Sequence, residues 1–232
     1  MDFTPIIDFD KHLLLALNGS HSLWLDNMAH ILTTATTWIP LYVALLYMVI
    51  KCNDNMRQVF MIICAVGLCV FISGSLNDMF VKPMVERWRP SHDPEIGMLV
   101  DTVNGYRSGN YGFFSSHAAN TFSIAVFFSL LVRSRLLTIS LIFWSFVNCW
   151  TRMYLGVHFP GDIMCGLLWG GIVATAVYYV LFRIVGGKTR GGVQFISRHY
   201  TSTGYGWMEV DVVISVFMFI LMYAVVKSCF IC

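Results

Sequence analysis

Charged residues are segregated along this chain, which leaves long, mostly apolar runs between polar stretches. Such runs lack a two-residue alternation and outlast any core strand, so they read as helices. A helix that crosses a membrane needs about 20 mostly apolar residues. Six stretches are candidates: residues 23–50, 59–81, 115–132, 136–154, 159–182 and 210–226. Pro40 is expected to kink or break the first. Ahead of them, residues 9–17 form a short amphipathic segment with Asp8, Asp10, Lys11 and His12 at its start. It reads as an interfacial helix, ended by Asn18-Gly19-Ser20. Residues 83–114 make a polar excursion too long for a simple connector, which marks them as functional. Residues 183–207 are basic and glycine-rich. The fold expected is all-α: one polytopic membrane domain over residues 1–232, with six transmembrane helices, an N-terminal interfacial segment (1–22), an active-side loop (83–114) and a cytoplasmic loop (183–207).

Composition agrees. The chain is 57% hydrophobic and 12% charged, against about 25% charged in soluble domains. A net charge of +2 is too small to suggest a nucleic-acid partner; the partners expected are the lipid bilayer and a lipid substrate. Most of the seven cysteines lie inside apolar runs, where they act as small hydrophobes. Cys229 and Cys232 alone have a metal-like spacing, and without a second pair that is a weak signal. The N-terminus has acids and no basic region, so no cleavable leader is expected.

Charge also orients the spans. With six crossings, the turns carrying Lys51, Arg57, Arg133, Arg135, Arg183, Lys188, Arg190 and Arg198 share one side, against Asp54, Glu209 and Asp211. Basic short loops stay in the cytoplasm. The excursion and the turn after residue 152 should then face the periplasm or exterior, from the inner (cytoplasmic) membrane.

That turn reads Thr151-Arg152-Met153-Tyr154-Leu155-Gly156-Val157-His158-Phe159-Pro160-Gly161-Asp162. Charged groups at a membrane boundary are costly and usually functional. Pro160 suits the first turn of a helix, which sets His158 and Asp162 on one face. The carboxylate can fix the imidazole tautomer and leave its other nitrogen free to attack. Two further clusters belong to the same side: Lys82 to Pro90, and Phe114-Ser115-Ser116-His117. Together they offer Lys82, Arg89, Arg152, Ser115, Ser116 and two histidines, a set suited to a phosphoryl group. Ser115 can cap a helix whose first N–H groups hold an anion. Singly, each has a plainer role: Lys82 and Arg89 as interfacial anchors, Ser115 as a cap only, His117 as a bundle polar residue. Arg87 and Arg107 read as solvated loop charges. Trp88, Tyr106, Tyr111, Phe113 and Phe114 read as interfacial aromatics or as an entry gate.

The ordered pattern Lys82-x6-Arg89-Pro90, Ser115-x-His117, Arg152-x5-His158-x3-Asp162 resembles the type 2 phosphatidic acid phosphatase family, whose membrane members dephosphorylate lipids. Two departures stand out: Phe114 and Ser116 replace the proline and glycine of the second motif, and Thr151 replaces the serine before Arg152. The resemblance implies that His158 forms a phosphohistidine, Asp162 orients it, and His117 serves as acid then base. Lys82, Arg89, Ser115, Ser116 and Arg152 would hold the phosphate, with no metal and no cofactor. Candidate substrates are polyprenyl diphosphate, lipid A, phosphatidylglycerol phosphate and phosphatidate. Phosphotransfer between lipids would use the same motifs. An anion transporter is the non-enzymatic alternative, and would place charges mid-span.

Overall fold

The structure is a computed structural model that describes residues 4–20, 22–181 and 199–230. Residues 183–198 of the basic loop, with Arg183, Lys188, Arg190 and Arg198, lie outside the described residues, as does Cys232. Among the described residues the architecture is all-helical. In order come α1 (Thr4–Leu17), α2 (Leu23–Thr33), a 3-10 turn (Ala35–Trp38), α3 (Ile39–Lys51), α4 (Met56–Val70), α5 (Lys82–Val85), α6 (Ser116–Val132), α7 (Arg135–Tyr154), α8 (Pro160–Tyr179) and α9 (Trp207–Phe230). Two π-helical stretches, Phe71–Ser75 and Asn77–Val81, join α4 to α5, making one long helix over Met56–Val85.

Among the described residues, four helices are long and apolar enough to cross a membrane: Met56–Val85, Arg135–Tyr154, Pro160–Tyr179 and Trp207–Phe230. A fifth crossing is available if α2 and the Ala35–Lys51 segment, bent by 68°, act as one. α6 is apolar but has 17 residues. Large apolar side chains such as Phe60, Ile139, Leu168 and Phe219 are exposed around the bundle, as expected of surfaces that meet lipid tails.

The bend is not made by Pro40. It comes at Thr34, where polar side chains cap the end of α2. Thr34 Oγ1 donates to His30 O (2.7 Å), Thr37 Oγ1 to Ile31 O (2.7 Å) and Trp38 Nε1 to Leu32 O (2.8 Å). Those bonds satisfy the last carbonyls of α2. Pro40 sits in the first turn of α3, where its missing N–H costs nothing. The first helix is also longer than residues 9–17 and buries Asp10 and Leu14.

The core runs down the middle of the bundle. Trp38 and Trp144 are almost fully buried and meet edge to face at 5.9 Å, and Phe217 stacks on Trp38 at 6.3 Å. α6 packs on α8 more extensively than on any other helix. Gly166 and Gly170 make that possible: a Cβ on Gly166 would lie 2.7 Å from Ser115 O, and one on Gly170 would strike Ala119 O. Small residues four apart let two helix backbones touch. The contact fixes the start of α6 against the first turns of α8.

Hydrogen bonds sort the connections to two ends. At one end Asn18 Nδ2 donates to Tyr154 O (2.8 Å) and Asp101 O (3.0 Å), tying α1, the 86–115 segment and the α7–α8 turn together. At the other end Asn53 Nδ2 donates to Tyr205 Oη (3.3 Å) and Thr203 Oγ1 to Val132 O (2.8 Å).

Candidate active site

Three chain segments build the site at the α1 end. The first is the end of the long α4–α5 helix. Its π-helical turns bring Asn77, Asp78 and Lys82 to the α6 start; such bulges recur at functional sites. Asn77 Nδ2 donates to Phe114 O (2.7 Å) and Ser116 Oγ (2.9 Å). Asp78 Oδ1 accepts from Ser116 Oγ (2.7 Å) and lies 2.5 Å from Lys82 Nζ.

The second segment is a strap, residues 86–115, which folds back on itself. Trp88 and Tyr111 form an antiparallel bridge with their rings 5.3 Å apart. Arg89 N–H donates to Asn110 O and Gly112 N–H to Arg87 O, each at 2.9 Å. The strap ends on Ser115, whose Oγ accepts from Ala118 N–H (3.4 Å) at the N-terminus of α6 and whose own N–H donates to Asp162 O (3.1 Å). His117, on the first turn of α6, is exposed.

The third segment is the α7–α8 turn. Arg152, in the last turn of α7, is buried; its Nη1 donates to Thr33 Oγ1 (2.8 Å) and Tyr106 Oη (3.3 Å). Gly156 at φ +64° ends the helix, a conformation that suits glycine. The chain then turns through His158 into Pro160, the first residue of α8.

Here His158 and Asp162 meet. Both are buried, with Nδ1 3.6 Å from Asp162 Oδ2. Arg89 Nη1 donates to Val157 O (3.0 Å) and lies 3.0 Å from His158 Nε2. The strap closes over this pair: a Cβ on Gly112 would sit 3.3 Å from Asp162 Oδ2 and 3.6 Å from His158 Nδ1. Burial, then the charge of Arg89, holds the His158 imidazole well below its usual range, so it is neutral at physiological pH. Burial and the nearby Arg152 push the Arg89 guanidinium down to about 10, which leaves it charged.

Every residue singled out in the three sequence clusters therefore falls at one end of the bundle. Lys82, Arg89 and Arg152 are near enough for their charges to act on both His117 and His158. Arg89 Nε and Arg152 Nε are buried donors with no hydrogen-bond partner among the described residues. Ser116 fits the scheme least simply, because its hydroxyl proton is engaged by Asp78. The structure corrects one reading outright. Arg87 is not a solvated loop charge: its Nη1 donates to Asp162 Oδ1 (2.7 Å), its Nη2 to Asp10 Oδ2 (2.6 Å), and its guanidinium lies 4.4 Å from the Phe159 ring centre. Asp10, Asp78 and Thr33 also enter the site unforeseen, whereas Tyr106, read as an interfacial aromatic or gate, accepts a hydrogen bond from Arg152. Of the three unforeseen residues, only Asp78 carried a sequence signal, its i,i+4 spacing to Lys82.

Comparison with known proteins adds the family. A family model described as the PAP2 superfamily matches residues 58–185. The chain is 38% identical over 179 residues to a protein named lipid A 4′-phosphatase from Bacteroides thetaiotaomicron, covering 76% of this chain and 79% of that one. It is 37% identical over 177 residues to a protein of the same name from Porphyromonas gingivalis, covering 75% and 74%. A lipid A 1-phosphatase from Rhizobium etli is 31% identical over 113 residues, 47% of either chain. No solved structure gives a significant match.

Proposed function

The chain belongs to the PAP2 superfamily and is a membrane phosphoric ester hydrolase; on that premise we propose that it hydrolyses a phosphate monoester of lipid A, foremost the 4′-phosphate, through a phosphohistidine on His158. The observation that carries the mechanism is the pair of orphaned guanidinium donors, Arg89 Nε and Arg152 Nε. A buried unsatisfied donor costs about 1–3 kcal/mol, more when charged. Such groups persist where a ligand supplies the acceptors, and the planar fork of arginine matches phosphate oxygens.

The placement of the groups supports the following steps. The phosphate enters among Lys82, Arg89, Arg152 and the start of α6 at Ser115 and Ser116. His158 Nε2 attacks phosphorus as the bond to the sugar oxygen breaks. His117 gives that oxygen its proton. Asp162, behind Nδ1, stabilises the charge that develops on the imidazole. His117 then takes a proton from water as the water oxygen attacks phosphorus and the P–N bond breaks, releasing inorganic phosphate. The fixed cations hold the equatorial oxygens throughout.

The membrane arrangement belongs to the same reading. α6, at 17 residues, is about 25 Å long at 1.5 Å per residue, at the short end of what spans a bilayer. Counting it with the bent α2–α3 pair makes six crossings. The charge asymmetry of the turns supports a site on the periplasmic side of the inner membrane, where lipid A headgroups could reach it. The identity to the two lipid A 4′-phosphatases favours that lipid over polyprenyl diphosphate, phosphatidylglycerol phosphate and phosphatidate. The test is phosphate release by the purified protein from each of these, with 4′- and 1-monophosphorylated lipid A as separate arms. Release from the 4′-arm, absent in His158→Ala, is expected. Turnover confined to another lipid, or undiminished in His158→Ala, overturns the assignment.

A further inference from the structure

The reaction scheme leaves Arg87 and Asp10 unused, although they form the most heavily hydrogen-bonded ion group at the site. Asp162 is fully buried, and a buried carboxylate without partners would carry a large desolvation cost. Its Oδ2 accepts the Phe159 N–H (3.1 Å) and faces His158; its Oδ1 is taken by Arg87 at 2.7 Å. Arg87 is in turn held from three sides. Asp10 Oδ2 binds its other terminal nitrogen at 2.6 Å, the Phe159 ring lies 4.4 Å away, and the strap backbone fixes its carbonyl through Gly112. Asp10 comes from α1, seventy-seven residues away in sequence, and its Oδ1 accepts the Gly161 N–H (2.8 Å) at the start of α8. The charges alternate from Asp10 to Arg87 to Asp162, ending at the imidazole.

We infer that Arg87, clamped by Asp10, is a positioning residue: it holds Asp162 in its charged form with one oxygen turned to His158 Nδ1, so that the N-terminal helix α1 is part of the working site. Without Arg87 the carboxylate loses its strongest partner and is free to rotate or to take up a proton. It then stabilises the imidazolium of the phosphoenzyme less well. Both side chains are bonded behind Asp162 and to Gly161 and hold no phosphate in the proposed scheme, so substrate affinity should be untouched. The inference rests on His158 being the nucleophile.

The experiment measures kcat and KM on the lipid phosphate, and inhibition by orthovanadate, for the full-length detergent-purified protein and for Arg87→Gln, Arg87→Lys, Asp10→Asn and the Asp10→Asn/Arg87→Gln double variant. Arg87→Gln is expected to lower kcat about 10–100-fold, the scale seen when the partners that orient metal-binding side chains are removed. KM and the vanadate inhibition constant stay unchanged. Arg87→Lys recovers part of the loss, Asp10→Asn loses less, and the double variant is no worse than Arg87→Gln, because the two act as one unit. If vanadate inhibition weakens in step with kcat, Arg87 is a phosphate ligand and the inference is wrong. It is equally wrong if kcat per folded molecule is unchanged in Asp10→Asn and Arg87→Lys, the two variants that best preserve the fold. Residual turnover in His158→Ala, run alongside, sinks the phosphohistidine reading instead and is seen separately.

Discussion

Arg89 Nη1 lies 3.0 Å from His158 Nε2, and that contact settles where the imidazole carries its proton. A guanidinium can only donate. Nε2 is therefore the acceptor, and the proton sits on Nδ1, facing Asp162 Oδ2 at 3.6 Å. The lone pair points at the Arg89 guanidinium, into the cationic end of the site. Substrate oxygens that draw Arg89 toward themselves would free Nε2 for attack.

The first prediction concerns pH. Burial first, then Arg89, lowers the His158 pKa. A lowered pKa means a larger neutral fraction at any given pH, so the acid limb of the single-turnover rate, where His158 takes up a proton, should lie below about 6.5, the ordinary histidine value. Arg89→Gln removes one of the causes of the lowering. The acid limb of the single-turnover rate should then move to higher pH, on top of any loss in rate. A limb that stays put or moves down would contradict the contact. Stability is linked to the same shift: below about 6.5 the unfolded chain binds a proton that folded His158 refuses, so the melting temperature should decline as pH falls through that window.

Arg152 supplies the second prediction. Its Nη1 is pinned by Thr33 and Tyr106, and its guanidinium lies 5.8 Å from the Tyr106 ring centre. Arg152→Ala should lower kcat by about 10²–10³, the usual scale for one oxyanion donor. Thr33→Val keeps the cation but removes one bond that aims it, so it should lose much less. Steady-state rates on purified protein decide the order; a larger loss in Thr33→Val would mean that Arg152 is not the group that meets the phosphate.

Helices were easy to read from the sequence because each apolar run is long and bounded by polar turns. The 136–154 stretch became Arg135–Tyr154 and the 115–132 stretch became Ser116–Val132. The bend in the first run was misplaced, because proline is the loudest breaker in a sequence while three side chains capping their own helix make no comparable signal. The cations and the histidine were legible for another reason: Lys82, Arg89, Arg152 and His158 stand at fixed spacings beside apolar runs. Arg87 stands two residues from Arg89 in a polar loop and has no periodicity to separate it from Arg107. Its role depends on Asp10, which only the folded chain brings near.

A third prediction tests the packing that sets the site. A Cβ on Gly166 would lie 2.7 Å from Ser115 O, and neither backbone can yield without moving the start of α6 from α8. Gly166→Ala should lower the melting temperature in detergent and reduce kcat together. By contrast, Gly67→Ala meets open space and relieves a helix-interior glycine, so it should be neutral or slightly stabilising. Equal behaviour of the two would show that the close α6–α8 approach does not set the site.

The fourth prediction concerns Lys82, which is less available than its position suggests. Asp78 binds it at 2.5 Å and takes the Ser116 hydroxyl at 2.7 Å. An anion arriving at Lys82 meets a cation already paired and a carboxylate that repels it. Asp78→Asn keeps an oxygen that can accept from Ser116 and from Lys82, but removes the negative charge. One unit charge at 4 Å is worth about 1 kcal/mol in water and more near a protein surface. The Asp78 side chain is half exposed, so the low end applies, and vanadate should inhibit Asp78→Asn at about 3–10-fold lower concentration. The tightening should be greater for a diphosphate than for a monophosphate, because the repulsion removed scales with ligand charge. In the unaltered enzyme the same carboxylate would then help to favour monoesters. Vanadate inhibition and the KM ratio of the two substrate types measure this directly. Weaker inhibition in Asp78→Asn would mean instead that Asp78 serves chiefly to hold Lys82 and Ser116 in place.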